Sequence, residues 1–118
     1  MWKAEFARDS KGIPVGKNRF EFFRKKHPVA MAVLETRLQM ILTALNAQKP
    51  IREILSQGFV HLEPGAVFAL SPGQPPLRLY CCLETKTQTL AILTMGDKRR
   101  QKEDIVDAVR WANEIRGS

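Results

Sequence analysis

Two neighbouring stretches in the second half of this chain limit what it can fold into. Leu77 to Glu84 alternates, with Leu77, Leu79, Cys81 and Leu83 on one face and Arg78, Tyr80, Cys82 and Glu84 on the other. Thr89 to Met95 is apolar on both faces, the pattern of a strand covered on both sides. Thr85-Lys86-Thr87-Gln88 between them is short enough for an antiparallel hairpin. The pair demands a sheet with layers to cover it. It also places a cation and a phenol on a face that need not be core, and Lys98, Arg99, Arg100 and Lys102 follow in the next loop.

The rest of the chain supplies those layers. Trp2 to Phe6 predicts a short strand, and Gly12, Pro14 and Gly16 mark the turn after it. A helix is expected from Lys17 or Asn18, with Phe20, Phe22 and Phe23 as its apolar side and Arg24-Lys25-Lys26-His27 at its end, where the helix dipole favours cations. Pro28 starts a second helix, whose Leu34, Leu38, Ile41 and Leu45 recur at spacings of four, three and four. Ile51 to Gln57 reads as a short helical turn stopped by Gly58.

From Phe59 the period becomes two, predicting strands over Phe59 to Glu63 and Ala66 to Ser71 around a Pro64-Gly65 turn. Lys102 to Arg116 predicts a terminal helix with Ile105, Val109 and Ala112 on one side. The order gives an α+β fold: an N-terminal strand and a helical hairpin packed on an antiparallel sheet, with a C-terminal helix. With 118 residues and no repeat or linker, positions 1-118 form a single domain.

Charge narrows the partner. Nineteen Lys and Arg against 12 Asp and Glu leave a formal charge of +7, which favours a polyanion. No signal-peptide layout is seen and no apolar run reads as long enough to span a bilayer, so a cytoplasmic location without membrane attachment is expected. Cys81 and Cys82 are adjacent on a strand, point to opposite faces and cannot readily bridge, and no second ligand pair stands at zinc spacing. No metal and no cofactor are expected, and inert packing is the expected use of Cys82.

A phosphate-handling surface needs cations to meet phosphate oxygens, and any proton-transfer chemistry on it needs a base and an acid. Arg78 suits the cation role because its planar fork can meet two phosphate oxygens, although an outward arginine at a sheet edge fits the same pattern. Lys98, Arg99, Arg100 and Lys102 repel one another unless water or an anion screens them. Lys25 and Lys26 read either as a helix C-terminus or as a nucleic-acid contact. For proton transfer His61 has the right intrinsic pKa, and Tyr80 shares a face with Arg78.

Several stretches resemble the RelE/ParE superfamily of bacterial toxins, in particular its HigB-like and phage-derived branch. Trp2-Lys3-Ala4-Glu5-Phe6 and Gly12-Ile13-Pro14-Val15 look like the opening of that branch. Gly65-Ala66-Val67-Phe68-Ala69-Leu70 stands where such toxins read glycine, leucine, tyrosine, glutamate, leucine, arginine. Leu77-Arg78-Leu79-Tyr80 looks like their arginine-bearing strand, and Leu93 to Lys102 like their last strand and basic loop. The resemblance spans nearly the whole chain in short, degenerate motifs.

It implies a RelE-like fold and a type II toxin: an mRNA endoribonuclease, or mRNA interferase, working on the ribosome, held inactive by a cognate antitoxin and forming an oligomer with it. In that reading Arg78, Tyr80, Lys98 and Arg99 are catalytic, Arg100, Lys102, Lys25 and Lys26 bind nucleic acid, and His61 is an acid or base. The ParE branch instead poisons DNA gyrase. Ala69 and Ser71 depart from the pattern where glutamate and arginine are usual, and no histidine or tyrosine follows Met95. Those departures keep an alternative open: a toxin-fold protein that binds nucleic acid, gyrase or a partner protein without cutting. An ordinary metabolic enzyme is disfavoured, since no glycine-rich phosphate loop, metal cluster or nucleophile with an adjacent base is present.

Overall fold

The computed structural model describes residues 1–117 and shows one mixed sheet with helices on both faces. Strand β1 (Lys3–Phe6) leads into helices α1 (Lys17–Lys26) and α2 (Pro28–Asn46) and a single turn α3 (Ile51–Ile54). Strands β2 (Val60–Leu62), β3 (Phe68–Leu70), β4 (Arg78–Glu84) and β5 (Thr89–Gly96) follow, and α4 (Gln101–Gly117) closes the chain. The sheet order is β1-β5-β4-β3-β2.

Strands β2 to β5 pair antiparallel, as the hairpin spacings require. Strand β1 does not: it runs parallel to β5, with Lys3 opposite Thr89 and Phe6 opposite Ile92, so the sheet is mixed rather than antiparallel. The direction of β1 was illegible because no short turn joins it to its partner; it closes the open edge of β5 from far away in the chain.

The alternation of β4 sorts its residues between two cores. Leu77, Leu79 and Cys81 face the α1–α2 hairpin with Phe20, Phe23, Leu34, Ile41 and Leu45. Tyr80 and Cys82 face α4 and pack with Ala108 and Ala112, whose small side chains let the helix approach closely. β5 serves both cores, with Leu90, Ile92 and Met95 on one side and Ala91 and Leu93 on the other. Helix α2 is long and apolar enough to cross a bilayer by length and composition, which the sequence reading did not anticipate. Its Leu34, Ile41 and Leu45 stripe packs on the sheet instead.

A β-bulge interrupts the central hairpin. Tyr80 pairs with Thr94 but Cys81 pairs with Ile92, leaving Leu93 as the extra residue. The backbone at Gly16 lies against this bulge, where a Cβ would come within 2.8 Å of the Leu93 carbonyl oxygen. Helix α1 therefore begins pressed onto β5, which aims its first turn at the end of that strand.

At that end, Gly96 is enclosed by the carboxylate of Asp104 from α4 and the guanidinium of Arg19 from α1. A Cβ on Gly96 would stand 1.9 Å from Asp104 Oδ2 and 3.1 Å from an Arg19 nitrogen. Gly96→Ala should therefore destabilise the fold by about 3–5 kcal/mol, the scale of breaking a buried ion pair. Gly58→Ala, whose new methyl meets nothing within 4 Å, should stay within about 0.5 kcal/mol of wild type. Urea unfolding of the two variants checks the contrast, and equal midpoints would contradict the enclosure.

Candidate active site and nucleic-acid interface

Strand register builds the first part of the site. His61 pairs with Ala69, Ala69 with Tyr80 and Tyr80 with Thr94, one row across the sheet on the α4 face. Arg78 lies next to this row, opposite Gly96. Ser71 follows β3, its backbone N–H donating to the Phe59 carbonyl at 3.1 Å, and its Oγ lies 3.0 Å from His61 Nε2. Arg37 of α2 anchors the same corner by donating to the Ser71 carbonyl oxygen, with its guanidinium 5.1 Å from the Phe59 ring centre.

Electrostatics joins Arg78 to this corner. Burial, and then the nearby Arg78 cation, hold the His61 imidazole below its ordinary value of 6.5, while Glu63 acts in the opposite sense. The ring is therefore neutral at physiological pH and able to accept a proton. Arg78 is part-buried and directs one nitrogen to the Leu77 carbonyl oxygen at 3.0 Å. The rest of its donor fork is available to an anion.

Tyr80 requires a correction. The face expected to be open carries α4, and the Tyr80 side chain is only 1% exposed. Burial first, then the Asp104 and Glu63 charges, push its phenol from 10.0 up to about 12, against the opposing influence of Arg78 and Arg19. Tyr80 keeps its proton at neutral pH and supports the β4 end that carries Arg78.

The basic loop is also more ordered than expected. Lys98–Arg100 form a 3-10 turn, and Gln101 and Lys102 already belong to α4. Asp97 caps the turn, accepting from the Arg99 backbone N–H at 3.0 Å and from its guanidinium at 3.1 Å. Those bonds hold the Asp97 carboxyl below the usual range, the Arg99 side chain contributing most. Arg99 is thus partly neutralised within its own turn, whereas Lys98, Arg100 and Lys102 extend from an exposed surface. The Lys26 cation of α1 also favours the charged Asp97 carboxylate, so helix and turn are electrostatically coupled. A groove lined by Asn18, Arg19, Phe22, Asp97, Arg99 and Arg100 separates the two.

The sequence-predicted residues therefore fall into two groups. Arg78 and His61 come together with Ser71 at one corner of the sheet. Lys25, Lys26, Lys98, Arg99, Arg100 and Lys102 occupy the surface formed by α1 and the turn before α4. Arg19 and Asp104 connect the regions through a 2.6 Å ion pair beside Gly96, the partner of Arg78. Asp104 is fully buried, its Oδ2 has no hydrogen-bond partner among the described residues, and burial raises its carboxyl despite Arg19.

Several contributors escaped the sequence reading. In sequence Ser71 is only a departure from the toxin pattern, and its bond to His61 depends on the β2–β3 register. Arg37, Arg19 and Asp104 give no local signal. Phe22 does: Phe20 and Phe23 already occupy the core stripe of α1, so Phe22 must point elsewhere.

Among the described residues no group of three or more His, Cys, Asp or Glu side chains stands ready to hold a metal. Cys81 and Cys82 are free and buried, and burial raises both thiols, that of Cys82 to about 11. They pack as inert apolar groups. No family model matches the sequence, and no curated protein matches it.

Tyr80 is the sole tyrosine of the chain, so a spectrophotometric titration isolates it. Phenolate absorbance should appear with a midpoint near 12 rather than 10.0. Because the folded-state pKa is the higher one, this group's stabilising contribution is complete below pH 10.0 and is lost as pH rises toward about 12. A midpoint near 10 in folded protein, verified by circular dichroism, would contradict the buried placement.

Proposed function

We propose that this chain is a metal-independent endoribonuclease with a RelE-like fold, the toxin of a type II toxin–antitoxin system. The observation that carries the reading is Arg78, held at the end of β4 within electrostatic reach of His61, on a molecule whose Lys98, Arg100 and Lys102 have no ion-pair partner among the described residues. In the proposed reaction His61 removes the proton of a ribose 2′-hydroxyl, and that oxygen attacks the adjacent phosphorus. Arg78 stabilises the charge gathering on the equatorial oxygens. The bond to the 5′ oxygen breaks, the leaving oxygen takes a proton from water, and a 2′,3′-cyclic phosphate and a 5′-hydroxyl result. Ser71 orients the imidazole through its hydroxyl. Lys98, Arg100 and Lys102 hold flanking phosphates.

The departures from the toxin pattern have a physical counterpart. Ala69 is 0% exposed beneath α4, so a carboxylate there would be withdrawn from water between its register neighbours His61 and Tyr80. Glu63 at the end of β2 supplies a carboxylate whose charge reaches His61 and Tyr80. This reading brings mRNA on the ribosome as substrate, a cytoplasmic setting, and a cognate antitoxin that binds the toxin.

A second reading is favoured by the burial of Tyr80 and Ala69, which leaves the corner with few proton-transfer groups. In it the chain grips nucleic acid, DNA gyrase or another protein without cutting.

Inducing the chain in bacteria and mapping mRNA 5′ ends separates the two. Cleavage by the wild type should fall about 10²–10³-fold in Arg78→Ala, the usual effect of removing one transition-state donor, and about 10²–10⁴-fold in His61→Ala. With purified protein the rate should climb with pH through an apparent pKa below 6.5 and level off at neutrality, because the base must be unprotonated. Unchanged transcripts on induction would overturn the nuclease reading in favour of the binding one.

A further inference from the structure

The α1 surface carries a feature that catalysis at Arg78 does not use. Phe22 is 56% exposed on a helix whose other two phenylalanines are buried. It forms the wall shared by two adjacent depressions. One contains Arg19, Arg99 and Arg100; the other contains Lys25 and Lys26. The ring is held rather than loose: it meets the buried Phe23 ring edge to face at 5.1 Å, and Lys26 Nζ lies 5.6 Å from its centre.

Charge around the ring is unbalanced. The acids lining the two depressions are Asp97 and Glu21. Asp97 is engaged by Arg99, and Glu21 lies 3.9 Å from Arg24. Lys25, Lys26 and Arg100 have no ion-pair partner within salt-bridge distance among the described residues. An exposed apolar ring costs free energy in water, and clustered cations repel one another. A single-stranded nucleic acid answers both, since a base stacks on the ring while its phosphates meet the cations. A duplex cannot do this, because its bases are already stacked.

We infer that Phe22 is a stacking platform for one base of a single-stranded RNA, with Lys25 and Lys26 on one side and Arg99 and Arg100 on the other gripping the adjoining phosphates. The groove runs from this ring to Arg19, beside Gly96, and Gly96 pairs with Arg78. Arg19, which lines that groove, thus links the platform to the strand end that pairs with Arg78. The inference extends the endoribonuclease reading by naming where the substrate is held outside the reacting bond, and it rests on that reading for the choice of RNA.

The test is fluorescence anisotropy with a short labelled single-stranded RNA, the same RNA made abasic, and a duplex control. Phe22→Ala should weaken binding to the intact strand about 5–100-fold, the range for loss of one base–aromatic stack, and leave the salt dependence unchanged. Phe22→Trp should bind as the wild type does, with indole fluorescence quenched on addition of RNA. Neutralising Lys25 and Lys26 should instead flatten the salt dependence. The abasic strand should bind wild type and Phe22→Ala equally.

Equal affinity of wild type and Phe22→Ala for the intact strand, or duplex binding as tight as single-strand binding, would overturn the inference. Cleavage assays separate it from the nuclease reading. Phe22-dependent RNA binding without any cutting would leave the platform standing and remove the nuclease, whereas cutting unaffected by Phe22→Ala at subsaturating RNA would do the reverse.

Discussion

The ion pair between Arg19 and Asp104 is the interaction on which the rest of the structure depends. It joins two helices that lie on opposite faces of the sheet, 85 positions apart in sequence, across the end of β5. Asp104 is fully enclosed, so its charge is supportable only because Arg19 reaches it at 2.6 Å. Removing one partner of such a pair leaves a charge stranded in low dielectric, at a cost of about 3–5 kcal/mol. Gly96 is the steric condition for the contact, and the close approach of Gly16 to the bulge at Leu93 sets α1 where Arg19 can make it.

That clamp also determines the layout of the functional surface. It keeps the first turn of α1 against the start of α4, which closes the groove that Phe22 shares with Arg99 and Arg100 of the basic 3-10 turn. On its other side Gly96 pairs with Arg78, so the same strand end holds the corner formed by His61, Ser71 and Arg78. Covering both faces of the sheet has a further consequence. It buries Tyr80 and removes the phenol from solvent, leaving Arg78 at the rim as the accessible cation of β4.

Much of the architecture was legible because it follows from local periodicity. The alternation of β4 assigned Leu79 and Cys81 to one core and Cys82 to the other, and the two-sided apolar pattern of β5 foretold its double burial. The stripe of Leu34, Ile41 and Leu45 identified α2, and Pro28 its first turn. The candidate site was less legible. Arg78, His61 and the cations of 98–102 stand out by residue type, but Ser71 acquires meaning only from the register that places its hydroxyl by His61. The same holds for Arg19 and Asp104, since a buried ion pair between distant helices leaves no periodic trace.

The sequence by itself determined which segments are helix and strand, which face of each is apolar, and that the chain carries a strong excess of positive charge. Those properties depend on neighbours within a few residues, where side-chain spacing is set by backbone geometry. Tertiary structure alone decided that β1 joins β5 in parallel, that α4 seals Tyr80, and that Phe22 stands open between two groups of cations. These outcomes depend on which layers close over which faces, and that choice is made by packing between residues remote in the chain.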